Sequence, residues 1–363
     1  MPGLFTRKRL AAIVAAGGLL VFTAVFATQA TAPTSRADLQ PTRMQAKTAR
    51  NVVDLLDELH YEHRKLDDAL SAQIFDRYLK DLDGQRLYFL ASDIQRFQPQ
   101  RVSFDNALKR GEVKGAFDIF NRYQQRARER LQFVIAEIDK GVTKMDFTVT
   151  DDMEINREKA AWATTPAALD ELWRKRIKAA ALSLRLAGKT DAEIQKTLGK
   201  RYRSQLNTMM RTKSDDAFQV FMNSFSETYD PHTEYFSPRT QENFNINMSL
   251  SLEGIGAVLQ SEDEFTKIVR LVPAGPADKG KQLKPGDRIV AVAQAEKEFT
   301  DVVGWRIDEV VELIRGPKGT TVRLQVIPAG SMDETQTRTI SIVRNTVKLE
   351  DQAAQKKILT IKR

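Results

Sequence analysis

Leu252-Glu253-Gly254-Ile255-Gly256-Ala257 is a run whose residue types could hold a charged group without using a charged side chain. Two glycines one residue apart open backbone angles closed to other residues, so successive amides can point into one concavity that fits a carboxylate. A peptide held there by its last residue would continue as an added strand along the sheet edge, with its terminal side chain in an apolar pocket. Each charge-assisted bond in such a nest contributes about 1.5–3 kcal/mol. Other uses of these glycines fail on context. A dinucleotide turn needs a third glycine and a following helix, whereas Gly256 is followed by Ala257-Val258-Leu259, which reads as strand. Gly316-Pro317-Lys318-Gly319-Thr320 lacks the Gly-Lys-Ser/Thr ending of a phosphate loop and stands between helix and strand, the wrong order for that motif.

The remaining candidates for chemistry are weaker. There is no cysteine, hence no disulfide framework and no thiol nucleophile. No Gly-x-Ser-x-Gly occurs, and no serine has a lysine three residues on. His60 and His63 have the spacing of a helix-borne pair, but no zinc-protease signature surrounds them, and they are read as a surface pair. Asp81-x-Asp83-Gly84 falls short of a calcium loop because the glycine comes two positions early and Ser92 stands where the bidentate glutamate belongs. His232 is read as a turn or packing residue. No catalytic residue, metal ligand or cofactor is therefore expected. The net charge of +8 is spread over mixed-sign segments rather than one block, which argues against nucleic acid as a partner.

The elements that must position the glycine turn are legible on both sides. Strand patterns flank it, and residues 304–315 form an amphipathic helix with Ile307, Val310, Val311 and Ile314 on one face. That helix can make the second wall of a peptide groove. The candidate residues for holding a peptide C-terminus are Leu252, Gly254, Ile255, Gly256, Ala257, Ile307, Val310 and Val311, the last three divided between ligand and core. Upstream, residues 44–230 read as helix after helix. Thr165-Pro166 supplies a cap and a first-turn proline, Thr190 and Glu193 form a capping box, and Ser214 caps a segment carrying Phe218, Phe221, Met222, Phe225 and Tyr229.

Residues 248–343 resemble a PDZ domain, and Asp230-Pro231-His232-Thr233-Glu234-Tyr235-Phe236-Ser237-Pro238, followed by MSLSLEGIGAVLQ, resembles the tail-specific (carboxy-terminal processing) proteases of Gram-negative bacteria over roughly residues 45–363. The resemblance implies a serine endopeptidase with a Ser/Lys dyad, whose lysine needs a pKa depressed by burial. It places both dyad members downstream of the PDZ domain, where this chain has no match. Lys318 sits in a superficially similar turn but belongs to the PDZ-like part. The chain is thus expected to be the front of a longer protease, truncated before its dyad and inactive alone. Lys357 to Arg363 read as the start of a further strand.

The expected fold class is multi-domain α+β, an all-α N-terminal domain followed by a PDZ-like β-sandwich or barrel domain with helices. The expected boundaries are a signal peptide at 1–32, a linker at 33–43, the helical domain at 44–238, the PDZ domain at 239–345 and the start of the protease domain at 346–363. Arg7-Lys8-Arg9 ahead of the 18 uncharged residues Leu10 to Ala27, with small residues before Pro33, is the layout of a secretory signal. Left uncleaved, it would anchor the chain in a membrane. The expected location is the periplasm, attached to the inner membrane in that case. The expected partners are protein substrates with apolar C-terminal tails and a periplasmic adaptor. The alternative reading is a non-catalytic periplasmic PDZ module that only presents such tails.

Overall fold

The computed structural model describes residues 37–331 and 335–349. The signal expected at 1–32 and the strand start at 357–363 lie outside the described residues. The helical part comprises α1 (Arg43–Leu59), α2 (Asp68–Asp83), α3 (Ala91–Phe97), α4 (Phe104–Arg110), α5 (Lys114–Asp139), α6 (Pro166–Leu186), α7 (Asp191–Met210), α8 (Ser214–Ser226) and α9 (Pro238–Ser249). The caps explain where several of these begin. Thr165 accepts from the Ala168 amide with Pro166 in the first turn, and Thr190 and Glu193 bond each other's amides reciprocally. At α8 the cap differs from the sequence reading. The Asp216 carboxylate takes the Lys213 amide at 2.8 Å, which frees the Ser214 hydroxyl to donate to the Gln40 carbonyl at 2.9 Å.

Two apolar cores hold these helices. Phe75 and Tyr78 of α2 pack with Phe221 and Phe225 of α8, while Leu131 and Val134 of α5 pack with Trp173 and Ile177 of α6 and Ile194 and Leu198 of α7. Each of these side chains, once buried, contributes about 1.5–3 kcal/mol. Asp83 closes α2 as an anion receptor in reverse: its carboxylate accepts the amides of Leu87, Tyr88 and Phe89 at 2.7–2.9 Å. Burial pushes this carboxyl above the ordinary aspartate value, against the pull of those amides. Those amides use the lone pairs that a cation would need. Among the described residues, no three His, Asp or Glu side chains group as a metal site, and no helix is long and apolar enough to cross a membrane.

The strand-rich part contains β1 (Ser251–Gly254), β2 (Ala257–Glu262), β3 (Phe265–Leu271), α10 (Pro276–Gly280), β4 (Arg288–Gln294), β5 (Thr300–Asp301), α11 (Ile307–Ile314), β6 (Thr321–Ile327), β7 (Arg338–Val343) and β8 (Asn345–Lys348). An antiparallel sheet runs in the order β2-β3-β4-β6-β7, with β5 on β4. β1 pairs instead with β8, Leu252 opposite Val347, so the strands flanking the glycine turn belong to different sheets. α11 starts later than residue 304, because Gly304 has φ 76° and Arg306 is the extended N-cap. Its side chains divide sharply. Val310 is 0 % exposed and joins Ile314 in the core, whereas Ile307 and Val311 are half-buried.

The two parts meet through charge. Arg306 and Asp308 at the start of α11, Asp216 on α8 and Arg239 on α9 form a closed ring of four ion pairs, and Lys213 pairs with Glu309 beside it. Burial alone would raise the Asp216 carboxyl, but its bonds to Arg306 and the Lys213 amide, with the charges of Arg306 and Arg239, hold it below the ordinary value. Glu309 is likewise lowered, burial being outweighed by Lys213 and Arg306. A carboxyl with a depressed folded-state pKa contributes fully above its unfolded value, about 3.9 for Asp, and its contribution is lost as pH falls through the lower folded value. Protease cleavage within α9 is therefore expected to speed up below about pH 4, while core amide protection in both parts persists. Unchanged cleavage down to the pH of global unfolding would show that the ring does not hold the parts together.

Candidate functional site: a carboxylate nest beside an edge strand

Gly256 has φ 74°, the left-handed region that favours glycine, and it turns the chain from β1 into β2. The turn is tied from behind. The Ile255 carbonyl accepts the Ala277 amide at 2.8 Å, and the Gly256 carbonyl accepts the Val272 amide at 2.8 Å. With both carbonyls engaged on that side, the amides of Ile255 and Gly256 have no partner among the described residues. Two adjacent free amides at a left-handed turn are a nest for an anion. β2 leaves this nest as the end strand of its sheet, paired only with β3, so its other edge is open to an added strand.

α11 packs against β2 and forms the far wall. Ile307 and Val311, one turn apart, line a cavity of about 470 Å³, and Arg239, Glu242 and Asn243 of α9 line its other side. Apolar side chains at Ile307 and Val311 suit an apolar residue. The cavity ends at Arg315 and Gly316, where α11 stops. The groove is thus flanked by a helix of the preceding part, and that helix itself buries no residue.

Of the residues singled out in the sequence, Gly256 supplies the turn and Ala257 begins the open edge. Ile255 contributes its amide alone, since its side chain is 3 % exposed and in the core. Val310 is removed from the site, because the inward face of α11 must cover the sheet. Gly254 is an ordinary strand residue opposite Asn345; it has no left-handed angle, and a Cβ there would stand 3.1 Å from Leu252 Cδ1 and 3.9 Å from Arg315 Cγ. Leu252 is half-buried in the β1–β8 pair. The sequence reading missed Arg239, Glu242, Asn243 and Arg315. A basic residue closing an amphipathic helix just before Gly-Pro was the available signal for Arg315.

The other candidates resolve into structure. His60 is neither on a helix face nor at the surface: it follows α1, is 9 % exposed and packs on Tyr229. Its Nε2 lies 3.0 Å from Thr233 Oγ1, whose hydroxyl donates to Asp230 at 2.9 Å, and its Nδ1 accepts the Glu62 amide at 3.2 Å. That pattern assigns the ring proton to Nε2 and spends both nitrogens on joining α1 to the turn after α8. His63 and His232 are exposed turn residues, and Lys318 is exposed with no serine hydroxyl bonded to it.

Comparison with known proteins gives a consistent set of similarities. The family model "Tail specific protease N-terminal domain" matches residues 52–239, and the PDZ domain model matches residues 243–327. The chain is 44% identical over 301 residues to the tail-specific protease of Haemophilus influenzae, covering 83% of this chain and 42% of the relative. It is 35% identical over 123 residues to the carboxy-terminal processing protease CtpA of Bacillus subtilis, covering 33% of this chain and 24% of that relative. The chain thus spans less than half the length of these curated relatives. A crystal structure of the PDZ domain of a carboxy-terminal protease from Vibrio cholerae in complex with peptide is 52% identical, covers 28% of this chain and 100% of that one, and superposes with a TM-score of 0.27.

Proposed function

Because the chain belongs to the tail-specific protease family, we propose that it is the front part of an exported serine-type endopeptidase that selects its substrates by their apolar free C-termini. The observation that carries this reading is the pair of amides at Ile255 and Gly256, without a partner among the described residues, at the head of the open β2 edge, while Arg315, which lines the cavity under Ile307 and Val311, comes within 3.9 Å of the Cβ position of Gly254. A terminal carboxylate on those amides, a strand added along β2 and an apolar last side chain toward α11 satisfy all three features together. Cleavage would fall to a Ser/Lys dyad downstream, a reading supported by the match of this chain to only 42% of the Haemophilus influenzae relative. Export rests on the basic, apolar and small-residue order of residues 1–32.

The test is calorimetry of the 363-residue chain with a short peptide ending in a free Ala-Ala or Val, and with the same peptide amidated. The free tail is expected to bind at least about tenfold tighter, the loss of one charge-assisted bond pair being enough for that ratio. The same chain, incubated with an unfolded protein bearing that tail, is expected to leave it intact. Equal affinity for the two peptides would overturn the carboxylate reading, and cleavage by the chain alone would overturn the assignment of catalysis to a downstream dyad.

A further inference from the structure

Arg315 stands at the end of the groove nearest the glycine turn. Its Cγ lies 3.9 Å from where a Cβ of Gly254 would stand, so the missing side chain gives the arginine stem room beside the turn. Its guanidinium meets α9: Nη1 is 3.2 Å from Asn243 Oδ1 and 3.6 Å from Glu242 Oε1. The other basic residue lining the cavity, Arg239, is committed to Asp216 and Asp308 within the ion ring. Arg315 alone among the two is held by an exposed carboxylate on a helix that buries nothing.

We infer that Arg315 is the charged half of the carboxylate site and that Glu242 occupies it in the free chain as an internal competitor. This rests on the proposed function, because it needs a peptide carboxylate at the Ile255 and Gly256 amides. A guanidinium on a long flexible stem can direct its planar fork to Glu242 or to a carboxylate in the nest, but not fully to both. Arrival of a C-terminal tail then frees Glu242 and releases the adjoining turn of α9 from α11. An amidated tail offers no anion and leaves the Glu242 contact in place.

The experiment uses the full chain, calorimetry with the free and amidated Ala-Ala peptides, and the variants Glu242→Gln, Arg315→Gln and the double substitution. Glu242→Gln is expected to tighten the free tail by up to about fivefold, the scale of an exposed ion pair removed from competition. Arg315→Gln is expected to weaken the free tail by about tenfold, and the double variant to behave as Arg315→Gln alone. The amidated peptide should respond to none of them. Should Arg315→Gln lower the melting temperature of the strand-rich part, the Glu242→Gln arm decides by itself. Wild-type binding of the free tail with no response to either substitution overturns this inference and leaves the groove reading standing, as does an equal gain for both peptides. Absence of free-tail binding by the wild type overturns both.

Discussion

Gly256→Val is expected to reduce affinity for a free C-terminal tail by about ten- to a hundredfold, the equivalent of one or two charge-assisted bonds. The mechanism is backbone geometry rather than obstruction of the nest. At φ 74°, a Cβ on residue 256 would point away from the groove, 3.3 Å from Gly275 Cα and 3.4 Å from both Val347 methyls. A β-branched residue must therefore leave the left-handed region or push that backbone away, and either change rotates the Ile255 and Gly256 amides out of register. Amidating the peptide removes the same interaction from the other side, so the two losses should fall well short of additive. The two-by-two set of protein and peptide would be measured by calorimetry, with thermal unfolding as a control for lost fold. Fully additive losses would mean that the turn and the carboxylate act independently, which the nest does not allow.

Replacing Arg344 by Met is expected to cost the strand-rich part about 3–5 kcal/mol, a loss on the scale of several buried acceptors left without donors. Arg344 is 2 % exposed and has no acidic partner among the described residues. Its Nε donates to the Ile314 carbonyl at 2.8 Å, Nη2 to the Leu313 carbonyl at 3.1 Å and to Gln294 Oε1 at 2.6 Å, and Nη1 to Thr320 Oγ1 at 2.9 Å. Burial pulls its pKa below the usual arginine value, yet the cation is kept by the negative end of α11, whose last carbonyls it satisfies. The Gly316 turn folds onto its stem, where a Cβ would meet the guanidinium at 3.0 Å. Lysine has no planar fork to reach four acceptors and should recover little. Urea unfolding followed at Trp305 would read the change, and a loss below about 1 kcal/mol would show that water replaces the guanidinium freely.

Local rules made much of this architecture readable in advance. Thr165-Pro166 and Thr190 with Glu193 each combine a periodic apolar face with a chemically defined start and are found where the spacing put them; the stripe from Phe218 to Phe225 is found too, but its helix is capped at Lys213 by Asp216 rather than by Ser214. The glycine turn was readable for the same reason, since Gly256 carries a conformational requirement within a few residues. What escaped depends on partners distant in sequence. Val310 and Val311 are indistinguishable by pattern, and only the sheet beneath α11 decides which one is buried. α9 has no buried side chain and therefore leaves no strong stripe; its role comes from Arg239, Glu242 and Asn243 facing a helix some seventy residues further on. The pairing of β1 with β8 spans nearly the whole strand-rich part, and neither four-residue strand announces the other.

That pairing has a mechanical consequence. Leu349 donates its amide to the Leu250 carbonyl at 2.8 Å, directly after the β1–β8 ladder, so the chain enters and leaves the strand-rich part at one clasp. A pull between α9 and the chain beyond Leu349 would load this clasp one bond at a time, like a zipper, before any force reached the six-strand sheet. The sheet and its groove would hang on a closed loop, tied to the helical part by the ion ring at α11 and spared from stretching while the clasp held. Opening the clasp, by contrast, would release Val347 from the back of Gly256, so that tension at the junction would slacken the glycine turn itself.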